Sequence, residues 1–67
     1  MTPAELGAAI RARRRALRIT QEDLAASICV SRRVIGQMES GKETVQVGIA
    51  LRAARAVGLE VGVEPRG

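Results

Sequence analysis

Apolar residues in the first part of the chain recur at intervals of three and four, the spacing of one face of an α-helix. The stripe is formed by Leu6, Ile10 and Leu17, and Arg13 occupies the remaining position of the same face. Thr2 can cap such a helix, Pro3 suits its first position, and Glu5 can bond back to the cap. The pattern predicts a helix that begins after Thr2 and ends near Leu17.

Two shorter helices follow, each preceded by a hydroxyl residue that can cap it. The first begins after Thr20, and its inward face is formed by Leu24, Ala25 and Ile28. The second begins after Ser31, has Ile35 and Met38 on its apolar face, and ends at Gly41. Because a turn of only three or four residues joins them, residues 20–40 are predicted to form a helix-turn-helix unit.

A fourth helix is predicted over about residues 47–57, followed by a short strand. We expect Arg52 and Arg55 to point outward, and the inward residues to be Val47, Ala50, Leu51, Ala54 and Val57. After Gly58, residues 59–64 alternate between apolar and polar, which is typical of a strand, and Pro65 ends it. Nothing else in the sequence alternates, so this strand either stays unpaired or pairs with its copy in a second chain.

The composition indicates one small domain, covering residues 1–67, without a recognisable set of catalytic residues. A chain of 67 residues with no Phe, Tyr or Trp has a marginal core, which makes a second copy a plausible source of stability. With no histidine and only Cys29, the sequence offers no metal site, no disulfide and no activated nucleophile, so we expect no enzyme activity and no cofactor. No apolar run is long enough to cross a bilayer and no signal-peptide pattern is present, which favours the bacterial cytoplasm.

The charge is the first indication of a partner. Eleven Lys and Arg oppose seven Asp and Glu, for a net charge of +4, and ten of these cations are Arg. Five of them crowd into one short stretch: Arg11, Arg13, Arg14, Arg15 and Arg18. Arginine suits forked contacts with phosphate and guanine, although the same cluster is also typical of a solvated helix face.

Residues 20–41 resemble the Cro/C1-repressor type of helix-turn-helix, also called the XRE family. The matching residues are Arg14, Gln21, Leu24, Ala25, Val30, Ser31, Ile35, Glu39 and Gly41. The resemblance implies an all-α, lambda-repressor-like domain, here of four helices, that binds double-stranded DNA. Residues 42–45, the fourth helix and residues 57–63 are similar to HipB-type antitoxins, in which the terminal strand pairs with its copy across a dimer axis.

The resemblance also implies roles for individual residues. Base-reading positions in the major groove fall on Ser31, Arg32, Arg33 and Gln37. Phosphate contacts fall on Gln21 and, as a further candidate, Lys42, while Arg14 and Glu39 form a structural ion pair between the first and third helices. The residues implied to form the dimer contact are Leu59, Val61 and Val63. The alternative for the DNA-facing positions is that they are ordinary exposed polar residues.

Two residues depart from the family pattern, because Arg18 and Cys29 stand where glycine is usual. A side chain in a left-handed conformation costs on the order of 1 kcal/mol, so these turns are expected to be reshaped or strained. Cys29 itself is more typical of a small, half-buried apolar residue than of a redox sensor.

Together these observations predict a sequence-specific homodimeric repressor, acting at a short palindromic operator in its own promoter at the bacterial nucleoid. The similarity to HipB suggests an antitoxin whose partner is a HipA-like kinase toxin. The alternatives are a stand-alone phage or plasmid repressor, and a protein-interaction module that neutralises a partner and binds DNA only weakly. A basic membrane-surface helix is disfavoured, because no bulky aromatic face accompanies the arginines.

Overall fold

The computed structural model describes residues 1–62, and it contains four α-helices and no strand within that range. They are α1 (Pro3–Ala16), α2 (Gln21–Ser27), α3 (Arg32–Glu39) and α4 (Val47–Ala56). The predicted all-α class and all four predicted helices are confirmed. None of these helices is long and apolar enough to cross a membrane.

Local hydrogen bonds explain where the first three helices begin. Thr2 and Glu5 cap α1 reciprocally, with distances of 3.1 and 3.2 Å between backbone nitrogen and side-chain oxygen. Thr20 and Asp23 do the same for α2 at 3.0 and 2.9 Å, and the Ser31 hydroxyl accepts the N–H of Val34 to begin α3. Each cap satisfies amide groups that a helix leaves without internal partners, which is why the hydroxyl residues mark the boundaries.

The core lies where all four helices meet, and its largest members come from different segments. Ile10, Leu24, Ile35 and Val57 are completely buried. The other buried residues of the core are Ala25, Ile28, Met38, Ala50, Ala53 and Ala54. The packing of α2 against α3 and of α1 against α3 is the most extensive, so α3 is held from two sides with one face left free.

The inward face of α4 differs from the prediction at two residues. Val47 and Leu51 were expected to face the core, but Val47 is 72% exposed and Leu51 38% exposed. The buried stripe instead runs along Ala50, Ala53, Ala54 and Val57, because small side chains allow α4 to approach its neighbours closely. With about 100° between successive residues, Leu51 lies well to one side of that stripe and Val47 at its edge.

Within the described residues, the segment after α4 has no regular secondary structure. The N–H of Leu59 donates to the carbonyl of Ala54 at 2.9 Å, and its side chain packs against the core. Glu60, Val61 and Gly62 are exposed. The rest of the predicted strand, including Val63, lies outside the described residues, so pairing across a dimer stays a prediction.

Two of the three interhelical turns depend on a left-handed residue other than glycine. Arg18 has φ = 58° and Cys29 has φ = 59°, whereas Gly41 and Gly58 take the same region without a steric penalty. The turns are therefore strained rather than reshaped, at a cost on the order of 1 kcal/mol for each side chain.

Three arginines donate to backbone carbonyls of other segments, a use that the sequence pattern does not reveal. Arg13 Nε donates to the carbonyl oxygen of Val57 at 3.1 Å, and Arg14 Nη1 donates to that of Ile19 at 2.9 Å. Arg52 donates to the carbonyl of Ile28 at the end of α2. Val57 and Ile28 are the C-terminal caps of α4 and α2, where unpaired carbonyl groups collect partial negative charge and a cation is favourable.

Candidate nucleic-acid interface

The free face of α3 carries most of the residues assigned to DNA. Ile35 and Met38 are buried at 0% and 4% exposure, which anchors the opposite side of the helix in the core. Arg32 and Arg33 are exposed on the first turn, and Gln37 is half-buried about one turn later. The helix therefore presents two guanidinium groups at its N-terminal end, the part of a recognition helix that reaches base edges.

Ser31 lies at the start of the same face. Its hydroxyl oxygen accepts the N–H of Val34 at 3.4 Å, so it shapes the first turn of α3. Because a hydroxyl can accept and donate at once, its O–H is still available to an acceptor outside the protein. Ser31 is exposed, as a DNA contact requires.

A half-buried ion pair connects α1 to α3. Glu39 Oε2 accepts from Arg14 Nε at 2.7 Å, and Glu39 Oε1 accepts from Arg14 Nη2 at 3.0 Å. The two side chains are 11% and 3% exposed. The hydrogen bond to Glu39 raises the pKa of Arg14, whose charge is needed because an unpaired carboxylate would be costly at this depth. The pair sets the position of α3 relative to α1.

Gln21 connects this ion pair to α2. It is the first residue of α2, and its Nε2 donates to Glu39 Oε1 at 3.1 Å. Sequence reasoning assigned Gln21 to phosphate and missed this bond, because the two residues are distant in sequence. The bond leaves the side chain half-buried with one amide hydrogen still free, so Gln21 is both an internal contact and a candidate for DNA.

The structure brings some of the assigned residues together and separates another from them. Gln21 and Arg32 border one open depression of about 410 Å³, which Arg18 also borders. Lys42 instead borders an apolar depression of about 280 Å³ with Leu6, Met38 and Val45 among its other lining residues. Sequence reasoning did not single out Arg18 as a site residue, although its position in place of a glycine was a signal.

The residues assigned to dimerisation have a further neighbour on α4. Leu51, Leu59 and Val61 border one open depression of about 590 Å³, together with Arg55, Glu60 and Gly62. Leu51 and Val61 are each 38% exposed, so both apolar and charged side chains form this part of the surface. Leu51 was missed because the sequence pattern placed it in the core.

No group of three or more side chains suited to a metal ion occurs in the range 1–62. The described acidic residues are spread over the surface or engaged in caps and the Arg14–Glu39 pair. The features that stand out are therefore the basic face of α3 and its surroundings.

Comparison with known proteins agrees with this geometry. The helix-turn-helix family model matches residues 10–63. The chain is 34% identical over 62 residues to an uncharacterized HTH-type transcriptional regulator, y4mF, of Sinorhizobium fredii. The matched region covers 92% of this chain and 82% of that protein. No solved structure matches the chain. The chain belongs to the helix-turn-helix family of the Cro/C1 (XRE) type, and it is a DNA-binding transcriptional regulator.

Proposed function

We propose that this protein is a repressor whose residues 1–67 form one DNA-binding domain and that binds a short, roughly palindromic operator as a homodimer. The operator lies in its own promoter, and the protein acts at the nucleoid in the bacterial cytoplasm. The observation that carries the proposal is the first turn of α3, where Arg32 and Arg33 are exposed while Ile35 and Met38 anchor the helix. A helix held in this way can enter the major groove with its donors already oriented.

Within that interface, different residues perform different tasks. Arg32 and Arg33 suit the two acceptors of guanine, and Gln37 suits adenine, so these side chains with Ser31 read the sequence. Gln21 and Lys42 bind phosphates, which position the protein without distinguishing sequences. Arg14 and Glu39 are not base readers but a structural pair, with side chains that are 11% and 3% exposed.

Selection of binding sites from random duplex DNA, at a stated salt concentration, tests the base-reading assignment. Arg33→Ala should relax the preference at one position of each half-site and weaken binding by about 1–3 kcal/mol. Lys42→Ala is the matched control, since it should weaken all sequences about equally. Gln21→Ala is a poorer control, because that side chain also binds Glu39. Unchanged base preference in the Arg33→Ala variant would remove Arg33 from the readers.

The homodimer is supported by the depression beside residues 59–62, whose apolar lining residues are Leu51, Leu59 and Val61. A segment whose backbone groups are unpaired can form a strand with its copy from a second chain. Leu59, Val61 and Val63 would then form an apolar layer shared by two subunits. A two-fold dimer of this kind presents two α3 helices to one side of the DNA, about one helical turn apart.

Val61→Asp tests this dimer by sedimentation equilibrium. Val61 is 38% exposed in the single chain, so the variant should fold, yet it would bury two unpaired charges in the dimer at a cost of several kcal/mol. Val47→Asp is the matched control, because Val47 is 72% exposed and lies outside that depression. A wild-type chain that stays monomeric at tens of micromolar, or a Val61→Asp chain that still dimerises, contradicts the proposal.

A second candidate function is that of an antitoxin for a HipA-like kinase toxin. It is favoured by the similarity of residues 42–45 and 57–63 to HipB-type antitoxins, and by the apolar surface where the second of these segments lies. A neighbouring gene for a HipA-like kinase, with neutralisation of its toxicity on co-expression, would support this role. Operator binding without such a gene indicates a stand-alone phage or plasmid repressor. Neutralisation without a selected DNA sequence indicates a protein-interaction module.

A further inference from the structure

Arg18 occupies a conformation that its residue type disfavours. Its φ of 58° lies in the left-handed region, which glycine adopts freely and which a side chain makes unfavourable. Gly58 shows the unstrained solution in the turn after α4, with φ = 80°. Strained backbone conformations concentrate at functional sites, which points to a functional role for the side chain of Arg18.

Arg18 differs from Arg13 and Arg14 in what its side chain binds. Arg13 donates to the Val57 carbonyl, and Arg14 donates to the Ile19 carbonyl and to Glu39. Within residues 1–62, no hydrogen bond or ion pair engages the Arg18 guanidinium. The structure therefore accounts for the side chains of Arg13 and Arg14 by the fold, but not for that of Arg18.

The surroundings of Arg18 are suited to an anion. Arg18 and Arg32 border the same open depression of about 410 Å³, with Gln21 between the segments that carry them. Glu22 is the one carboxylate among the described residues that line this depression. Its oxygens are more than 4 Å from the guanidinium nitrogens of Arg18 and of Arg32. Arg14 also borders the depression, but its charge is paired with Glu39. Arg18 and Arg32 have no such partner among the described residues, so an anion that enters the depression reduces their mutual repulsion.

We propose that Arg18 binds a backbone phosphate of duplex DNA in this depression, next to Arg32. The inference rests on the proposed function, since it requires that the face formed by α3 and the start of α2 meets DNA. Arg18 acts as a positioning residue: the phosphate contact fixes where α3 lies along the groove and carries no sequence information. The strain at Arg18 is thus the consequence of placing a cation where the turn alone would favour glycine.

Arg18→Gly separates this role from a structural one. It removes the cation and relieves the left-handed strain, so the urea midpoint should stay unchanged or rise. Affinity should fall about eightfold at 0.1 M salt, for the selected operator and for an unrelated duplex alike. The slope of log K against log salt concentration should become shallower by about 0.9, the value for one lost phosphate contact.

Two further variants control for charge. Arg11→Ala removes the same charge from an exposed residue of α1 that does not border the depression, and it should change the slope much less. Arg18→Lys keeps the charge at the site, and it should retain most of the salt slope. An equal loss of slope in Arg11→Ala would overturn the assignment, because the effect would then be one of net charge alone.

Titration of the wild-type protein separates a failure of the proposed function from a failure of the role assigned to Arg18. If wild-type protein binds neither duplex, the proposed function fails. If wild-type protein binds and Arg18→Gly keeps both its affinity and its salt slope, only the role of Arg18 is overturned. A lowered urea midpoint with unchanged affinity would likewise overturn it, since Arg18 would then serve the turn.

Discussion

Replacing Glu39 with alanine removes the acceptor on which three helices converge. The carboxylate receives two hydrogen bonds from Arg14 of α1, at 2.7 and 3.0 Å, and one from Gln21 of α2, at 3.1 Å. Arg14 keeps its bond to the Ile19 carbonyl, but its charge loses the only carboxylate within 4 Å among the described residues. The variant therefore tests whether the helix-turn-helix unit depends on this one side chain.

The magnitude follows from burial. Breaking a buried pair by removing one partner typically costs about 3–5 kcal/mol. The lower end, about 3 kcal/mol, applies here because Arg14 is 11% exposed and retains one hydrogen bond. A domain of 67 residues has a free energy of unfolding of roughly 3–10 kcal/mol. The loss should lower Tm by about 12–24 °C, at about 4–8 °C for each kcal/mol.

Urea melts followed by far-ultraviolet circular dichroism measure this effect, since the chain has no Trp or Tyr to report on unfolding. All variants should be compared at one protein concentration, because dimerisation would make the midpoint concentration-dependent. Glu43→Ala is the matched control: it removes the same charge from an exposed residue without a hydrogen bond in the described structure, and should change stability by less than about 0.5 kcal/mol. Equal midpoints for the two variants would refute the reasoning.

Two other predictions concern the recognition helix and the start of α2. A Cβ added at Gly36 meets nothing within 4 Å, so Gly36→Ala should stabilise α3 by up to about 1 kcal/mol in urea melts. The same methyl group lies on the free face of α3 and should weaken operator binding; unchanged affinity would show that Gly36 does not approach DNA. At α2, the backbone N–H and hydroxyl of Thr20 lower the pKa of Asp23. A carboxylate with a lowered folded pKa stabilises above its unfolded pKa, about 3.9, and that contribution disappears as the pH falls through the folded value. Asp23→Asn should therefore be less sensitive to acid than the wild type in melts on either side of pH 4, and parallel acid dependence would contradict this role for the cap.

Local features were predictable from the sequence because their causes are local. Thr2, Thr20 and Ser31 each begin a helix through a bond to a residue three positions later, and that spacing is visible in the sequence. The orientation of α4 was not predictable in the same way. Val47 and Leu51 are more apolar than Ala53, yet Ala53 is buried because close packing between helices selects small residues.

In the candidate site, too, local features were predictable from the sequence and contacts between distant segments were not. Arg32 and Arg33 could be placed on an exposed face from the helical period of α3 alone. The bond between Gln21 and Glu39, and the shared depression of Arg18 and Arg32, join segments that are distant in sequence. Such contacts follow from the packing of whole helices, which no local spacing encodes.

The bond between Arg13 and Val57 has a consequence for how the domain opens locally. It joins the last part of α1 to the C-terminal end of α4, so the final turn of α4 cannot fray without releasing a side chain of α1. Local unfolding of small domains normally begins at such helix ends, and the segment that follows α4 would be set loose first. Here the bond joins that end of α4 to α1, so we expect the two helices to open together. Amide hydrogens near Val57 and Leu59 should then exchange at a rate governed by the opening of α1 rather than by fraying of α4.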